Sequence, residues 1–594
     1  MLPISNNTLI RTGPLLNWLP AEQRLLPSDI FNNMSHYGSE QAVRRRQGMD
    51  AQTTQAENHF DAIIVGAGHN GLATGLVLAR NGSRVLILEK NNYVGGMGGT
   101  REILKGCRNE VGASCLFPLS KEIRDYFDFE NHGVELIPLP VMAVNLAGAN
   151  SRPLVFFRQP WKLAFNILRS FGPSAMLGFV RLMKFCQYPA RVLDRFTARK
   201  APRALEDIIA EAATQKEREH LELAFKGSAM DIIDRFFPDP VKHAELRASM
   251  AFAAVQATYK GPYTPGSGLC LIYTMAQEGS EGLMQRVRGG MGSLSESLAR
   301  QIEDLGGEVR LKQPVASILT QGDRATGVTL KDGTCLYADV IVSNLDKQAT
   351  FNGLLVEHEL LSQDQEKVDA FTHKGAFIHM LFKLKGLPTY SQHFNKLNSI
   401  GGAHFGGAMV LDPKELQLAY QTCLTGELPA RMPLAFQIPT VMDSTLAPPG
   451  CHIASAYAFY FPCDADKSER GKLRDAAAEN IIDHISQYMP DFRELITDQA
   501  IFSADHFASM QGVTNGDWTH GLLHPDQMIG ERCLVAGTGH TTPVANLFLC
   551  GASCHPGPGV TFLPGYNCAH EILAAASFRE QPASEEPAQA ARAA

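Results

Sequence analysis

The sequence predicts an α/β protein, in which a Rossmann-type nucleotide-binding domain carries an inserted α+β substrate domain. Three observations support this. A short apolar run, Ala62-Ile63-Ile64-Val65, passes straight into glycines at 66, 68 and 71. A second apolar run, Val85 to Leu88, places Glu89 at its end, about 20 residues on, the spacing of a dinucleotide-binding βαβ unit. Far along the chain, residues 308–344 are strand-rich, and Asn546 to Cys550 is another apolar strand ending in glycine. The expected division is an N-terminal extension (1–58) and a discontinuous nucleotide-binding domain (60–135, 286–355 and 500–576). A substrate or cap domain (136–285 and 356–499) and a disordered tail (577–594) complete it.

At ~150 residues per domain, 594 residues correspond to two to four compact units. With 45% hydrophobic and 19% charged residues, the chain has ample core and is not generally disordered. A net charge of −7 argues against a protein built broadly for nucleic acid, so no nucleic-acid partner is expected. No stretch approaches the ~18 apolar residues of a membrane span. The 12 cysteines form neither CxxC nor a zinc-type CxxC…HxxxH pattern, so no metal site is expected, and a reducing, cytoplasmic setting is. The first residues lack a basic stretch followed by an apolar core, so no secretory signal is read. Met49 follows Arg44-Arg45-Arg46, and residues 1–48 read as a dispensable extension or a mis-called start.

In chain order, the first βαβ unit spans Phe60 to Lys90. No acid occurs between Glu135 and Asp194, whereas seven basic residues do. Trp161, Phe165 and Leu168 share one helical face, Lys162, Asn166 and Arg169 another, and Gly172-Pro173 breaks the pattern. A second segment carries Met176, Leu177, Val180 and Met183 with Arg181 and Lys184. Two short basic amphipathic helices result, and 152–191 reads as domain surface, as a contact with an anionic bilayer, or as a partner surface. Residues 203–226 look helical and solvated. Gly289 to Leu294 forms a turn opening a helix that ends at Gly306-Gly307. The strands that follow include a hairpin at Lys331-Asp332-Gly333, and His555 to Ala576 reads as a loop feeding a helix.

Within the first unit, Gly66 permits the tight turn and Gly68 lets backbone N–H groups approach a pyrophosphate. Gly71 allows helix and strand to pack closely, and the helix N-terminus supplies partial positive charge. Glu89 can accept both ribose hydroxyl protons, which favours an unphosphorylated adenosine ribose. A second glycine cluster, Asn91 to Thr100, follows at once. A nicotinamide site has no need of it; an extended FAD reaching past its pyrophosphate does.

On Val65-Gly66-Ala67-Gly68-His69-Asn70-Gly71-Leu72 and the following Val94-Gly95-Gly96…Thr100, the chain resembles the flavoprotein amine oxidase and phytoene desaturase superfamily. It looks like the branch that holds bacterial carotene ketolases and pyridine nucleotide-disulfide oxidoreductase domain-containing protein 2. The resemblance extends to residues 288–309, 438–455 and 546–569, and so covers roughly 60 to 576. It implies that Gly66, Gly68, Gly71 and Glu89 hold the ADP half of FAD, with Gly95, Gly96 and Thr100 along the pyrophosphate and ribityl chain. It implies that the Val315 backbone meets adenine, and that Gly551, Ala552, Val560 and Thr561 bring a strand and a helix N-terminus against the flavin. Such a terminus would stabilise the negative charge of a reduced flavin. Three residues depart from the family pattern: Pro558 in the flavin loop, Phe562 where glycine is common, which would narrow the space near the isoalloxazine, and Met97 where many amine oxidases have arginine.

No second glycine fingerprint follows an apolar strand, and Cys107 and Cys115 are too far apart for the redox pair of disulfide reductases. Oxygen or a quinone is therefore the expected electron acceptor. His520 and His555 are the candidate proton-handling residues, each weighed against a structural loop role, whereas Cys550 and Cys554 read as packing residues. The expected function is FAD-dependent oxidoreduction of a hydrophobic, unsaturated carotenoid, isoprenoid or retinoid-like substrate by desaturation, oxygenation or isomerisation. Oxidation of an amine or amino-acid-derived substrate, and a flavin-containing scaffold, are the alternatives. Peripheral membrane association through 152–191 accompanies the first reading.

Overall fold

Apolar side chains at successive positions let a strand bury both faces, as the centre of a parallel sheet requires. Strand β1 (His59–Val65) does this: Ala62 and Ile64 join one core, Ile63 and Val65 the other. The computed structural model describes residues 59–580 apart from 257, 276–279 and 357, and not the side chains of 577–580. The expected extension (1–58) and residues 581–594 of the expected tail lie outside the described residues.

Around β1 stand β2 (Val85–Leu88), β3 (Glu308–Arg310), β4 (Val315–Gln321), β5 (Arg324–Leu330), β6 (Cys335–Ser343) and β7 (Leu547–Leu549). Their order is β3-β2-β1-β6-β5-β4, with β7 beside the end of β6. The pairs β3–β2, β2–β1, β1–β6 and β6–β7 are parallel, and the hairpins β4–β5 and β5–β6 antiparallel. The register sets Ile63 against both Leu86 and Ile341, and Ile341 against Leu547. The expected hairpin at Lys331-Asp332-Gly333 closes β5 onto β6, with the Leu330 N–H donating to the Thr334 carbonyl at 2.8 Å.

Helix α1 (His69–Arg80) follows β1. A second sheet runs in the order 496–502, 377–384, 452–459, 434–437, 406–409, 141–146 and 154–157, and is antiparallel except where 406–409 meets 141–146. A helical layer includes α2 (Pro160–Phe171), α3 (Pro173–Leu193), α4 (Leu205–Ala210), α5 (Gln215–Phe225) and α6 (Ser267–Met275) around one apolar core. Helices α7 (Gly292–Asp304) and α8 (Leu563–Glu580) pack on α1. Gly565 allows this closeness, since a Cβ there would lie 2.0 Å from the Asn70 carbonyl oxygen, and the Thr74 hydroxyl donates to the Gly565 carbonyl.

Two expectations change. Residues 203–226 form two helices, α4 and α5, and one face of each is buried through Leu205, Ile209, Leu221, Ala224 and Phe225. The second basic helix is not short: α3 runs for 21 residues through Pro189. A proline inside a helix leaves the carbonyl four residues earlier without its N–H donor. Here that carbonyl, on Phe185, accepts from His220 Nε2 at 2.9 Å, so the helix continues.

Candidate functional site

The chain turns sharply after β1 at Gly66 (φ +99°). Gly68 is the N-cap of α1 with extended backbone, and neither a capping side chain nor an acid occupies the first turn. The first-turn N–H groups therefore present positive potential to an anion. A Cβ at Gly71 would lie 2.3 Å from the Gly66 carbonyl oxygen, and one at Gly68 would lie 2.6 Å from Asn344 Nδ2. Gly68 bridges to Gly95, whose N–H donates to the Ala67 carbonyl at 2.8 Å. This brings the two glycine clusters side by side. Glu89, 5% exposed, accepts from the Ala67 N–H at 2.9 Å, the Asn91 N–H at 2.8 Å and Asn91 Nδ2 at 2.9 Å.

Gly66, Gly68, Glu89, Gly95, Gly96 and Ala552 thus line one crevice, across which Asn344 and Gln511 to Val513 face them. The crevice shares His69, Met97, His520 and Ala552 with a larger cavity of about 290 Å³. Tyr457, Phe459, Trp518 and Tyr273 give the cavity an aromatic lining, and Val560 and Pro558 come from the loop before α8. Trp518 stacks on Phe377 at 4.8 Å and on Tyr457 at 5.8 Å. The two spaces fit a long cofactor with an adenylate end and a ring end. Asn70 Oδ1, His520 Nδ1 and Thr561 Oγ1 are buried around them with no partner among the described residues.

Other expected site residues stand elsewhere. Gly71 and Gly551 act by close approach; a Cβ on Gly551 would lie 2.8 Å from the Asn344 carbonyl oxygen. Thr561 is buried beside Val560. Val315 begins β4 half-buried against the core, and the nearby Gln313 N–H donates to the Glu89 carbonyl at 2.8 Å. Thr100 donates to Glu110 Oε2 at 2.7 Å and accepts from the Gly292 N–H at 2.9 Å, anchoring the start of α7. Glu110 also pairs at 2.7 Å with Arg286, itself 0% exposed. Replacing Glu110 by alanine strands that guanidinium, and a loss of about 3–5 kcal/mol is expected in denaturant unfolding.

The two candidate histidines separate. His520 sits where crevice and cavity meet, in left-handed backbone (φ +52°). Its carbonyl and those of Thr519 and Ala552 accept from Arg532 Nη2 at 3.1, 2.9 and 2.7 Å. That buried arginine ties the His520 loop to the loop after β7. Burial lowers the pKa of His520, and burial, with His520 nearby, lowers that of His69 to about 4, so both rings are neutral at pH 7. His555 lines neither space; it is 2% exposed, and burial lowers its pKa to about 3. Phe562 does not itself line the cavity; it turns at φ +60° towards the core, 5.1 Å from Phe129 and 5.7 Å from Phe127, and packs edge-on at 5.6 Å against His69, which lines both spaces. Cys550 and Cys554 are buried free thiols whose pKa values burial raises, in keeping with packing. Among the described residues no cluster of three or more His, Cys, Asp or Glu is placed to hold a metal.

Sequence reasoning passed over His69, Tyr457, Trp518, Arg195 and Arg532. His69 had a signal, because it lies inside the glycine loop, and so did Trp518, two residues before His520; Tyr457, Arg195 and Arg532 come from distant segments and had none.

A nucleotide crevice running into an apolar cavity over a Rossmann-type sheet defines a flavin-dependent oxidoreductase fold. The chain belongs to the flavin containing amine oxidoreductase family, whose model matches residues 71–367, and its cofactor is FAD. It is 25% identical over 546 residues to the mouse (Mus musculus) pyridine nucleotide-disulfide oxidoreductase domain-containing protein 2, covering 86% of this chain and 93% of that one. It is 26% identical over 548 residues to the chloroplastic prolycopene isomerase of Arabidopsis thaliana (87% and 83%). With the lycopene-forming phytoene desaturase of Pseudescherichia vulneris it shares 24% over 513 residues (84% and 95%). Among solved structures, an oxidoreductase from Methanosarcina mazei superposes with a TM-score of 0.56 at 16% identity, covering 86% of this chain and 99% of that one. Putrescine oxidase bound to putrescine gives 0.55 at 16% identity (87% and 99%).

Proposed function

We propose that this FAD-dependent oxidoreductase acts on a hydrophobic, unsaturated substrate of carotenoid, isoprenoid or retinoid type, by desaturation, oxygenation or isomerisation. The observation that carries the reading is the cavity wall. Among the described residues its exposed lining is mainly aromatic and apolar, with neutral polar side chains such as Gln256, Gln437 and Thr519 between them, and no aspartate, glutamate or lysine. A protonated amine would find no carboxylate there and would face a guanidinium. The likeness to prolycopene isomerase and phytoene desaturase gives the same direction.

In this reading Gly66, Gly68, Gly71 and the start of α1 hold the pyrophosphate, and Glu89 holds the adenosine ribose. Gly95 and Gly96 flank the linker, with Thr100 bracing that segment and Val315 on the adenine side. Ala552 and Val560, which line the cavity, would face the ring, with Gly551 and Thr561 shaping the loops behind them. Bound FAD supplies two-electron acceptor chemistry. Tyr457 and Trp518 orient the substrate and exclude water, while His69 and His520, neutral at pH 7, offer hydrogen bonds where the two spaces meet. His555, buried with both ring nitrogens unpartnered among the described residues, stands behind this wall and takes no part in lining it. For a net oxidation, oxygen or a quinone would be the electron acceptor. Anaerobic mixing of the yellow protein with polyenes, retinoids and amines tests the proposal. If the reaction is desaturation, the oxidised-flavin band should fade with the first two classes. A redox-neutral isomerisation leaves the band and appears as a change of double-bond geometry in the recovered polyene, and an oxygenation appears as an oxygenated product once air is admitted. Fading with amines alone overturns the proposal.

A membrane contact through 152–191 belongs to the same proposal, in a cytoplasmic protein that docks reversibly. No helix among the described residues is long and apolar enough to cross a membrane. Trp161, Phe165 and Leu168 of α2 and Leu177 and Val180 of α3 are nonetheless 47–68% exposed, beside Lys162, Arg169, Arg181 and Lys184. Fully burying a large apolar side chain contributes ~1.5–3 kcal/mol, and each nearby cation about 1 kcal/mol at an anionic surface. Anionic vesicles should therefore retain the protein in flotation at low salt. Trp161→Glu with Phe165→Glu should weaken retention by about tenfold or more, which two lost anchors amount to. Equal retention of the double variant removes this surface from the proposal.

A further inference from the structure

Two arginines lie buried beside the site, and their surroundings differ. Arg532 gives its donors to the carbonyls of Gln527, Thr519, His520 and Ala552, so it is a structural clamp. Arg195, just beyond the end of α3, is 7% exposed and lines the cavity. One of its terminal nitrogens donates to the Tyr273 carbonyl, and its guanidinium lies 4.2 Å from the centre of the Tyr273 ring. Its Nε is buried without a partner. Since no acid lines the cavity among the described residues, this guanidinium is the one fixed charge in an apolar wall. A buried cation needs compensation: Arg532 has it from four carbonyls, whereas Arg195 has one carbonyl and the faces of Tyr273 and Phe196, which leaves its Nε open to an acceptor. A planar guanidinium matches a carboxylate in a two-point fork.

We infer that Arg195 receives the carboxylate of an apolar substrate, holding its acid end while Tyr457 and Trp518 flank its unsaturated body. This deepens the proposed function and rests on it for the nature of the body. The carboxylate alone could also belong to an amino acid, although among the described residues no acid lines the cavity to hold its ammonium. Arg195 Nη2 also comes within 3.0 Å of where a Cβ on Gly559 would lie, so a part in flavin electrostatics has to be separated from substrate binding.

The FAD-loaded protein is titrated with retinoate, retinol and L-phenylalanine, following perturbation of the flavin absorbance band. Retinoate should bind about tenfold or more tightly than retinol, and Arg195→Met should abolish that preference while leaving retinol affinity and FAD content unchanged. Arg195→Gln, which keeps a donor for the Tyr273 carbonyl, gives the same readout if the methionine variant does not fold. A preference that survives both substitutions overturns the inference. So does a shift of flavin reduction potential in the variants with the preference intact. If retinoate and retinol bind equally to the wild type, acid recognition falls and the polyene reading stands. If neither retinoid binds but L-phenylalanine does, and Arg195→Met abolishes it, the polyene reading falls and the carboxylate role stands. Binding of none of the three removes both.

Discussion

A Gly71→Val protein is expected to purify without colour and to bind added FAD at least about tenfold more weakly than the wild type, because the pyrophosphate turn can no longer close. The Cβ would lie 2.3 Å from the Gly66 carbonyl oxygen and 3.1 Å from Asn344 Nδ2. The first neighbour is backbone and cannot swing aside, so the turn must open. Opening it withdraws the Ala67 N–H from Glu89 and separates Gly68 from Gly95, which disturbs the ribose and pyrophosphate ends together. Gly353→Ala, where a Cβ meets nothing within 4 Å, is the control and should stay yellow. Visible absorbance and FAD titration calorimetry provide the readout, and a fully yellow valine variant contradicts the assignment of this turn.

Acid should destabilise the protein well before its carboxylates titrate. Burial lowers the pKa of His69 and His484 to about 4, and of His379 and His555 to about 3. Unfolded histidines titrate near 6.5. Below that pH the unfolded chain takes up protons that the folded chain refuses, so unfolding is favoured as pH falls. The stabilisation is complete above pH 6.5 and drains away as pH drops towards 4, by up to ~1.4 kcal/mol per pH unit for each histidine. Four such groups give a loss of up to about 5 kcal/mol by pH 5.5. Calorimetric Tm measured between pH 7.5 and 5 should fall steeply. His379→Phe keeps the ring that stacks on Tyr457 at 4.2 Å but removes a proton site, and should flatten the slope. A Tm indifferent to pH over that interval rules the account out.

The two predictions draw on features that differ in how legible they were. The glycine turn could be read directly, since a strand, three glycines and an acid at fixed spacing act through contacts along a short stretch of chain. The hairpin at Lys331-Asp332-Gly333 was visible for the same reason. The length of α3 was not, because the group that rescues Pro189 is His220, on another helix. The packing of Phe562 was not legible because its direction depends on a left-handed backbone and on Phe127 and Phe129, far away in sequence. The covered faces of α4 and α5 were legible, because Leu205 and Ile209, and Leu221, Ala224 and Phe225, recur at the i, i+3, i+4 spacing of one helical face. The cavity wall was hidden most completely. Tyr457, Trp518 and Arg195 reach it from a strand, a loop and the end of a helix, and nothing in the neighbourhood of Asp194-Arg195-Phe196 distinguishes it from a surface helix terminus.

The position of β7 bears on how such a chain is made. At ~5–20 residues per second, a ribosome needs roughly 25 to 100 s to travel from the first strand of the nucleotide sheet to the last. Through that interval β1 and α1 have been synthesised, yet β7 and α8 do not exist to cover them. Ten consecutive residues of α1, Asn70 to Ala79, are buried in the finished protein. Nascent chains stalled before Leu547 should therefore be sticky, chaperone-bound and unable to retain flavin, and cofactor loading becomes one of the last events in the protein's biogenesis.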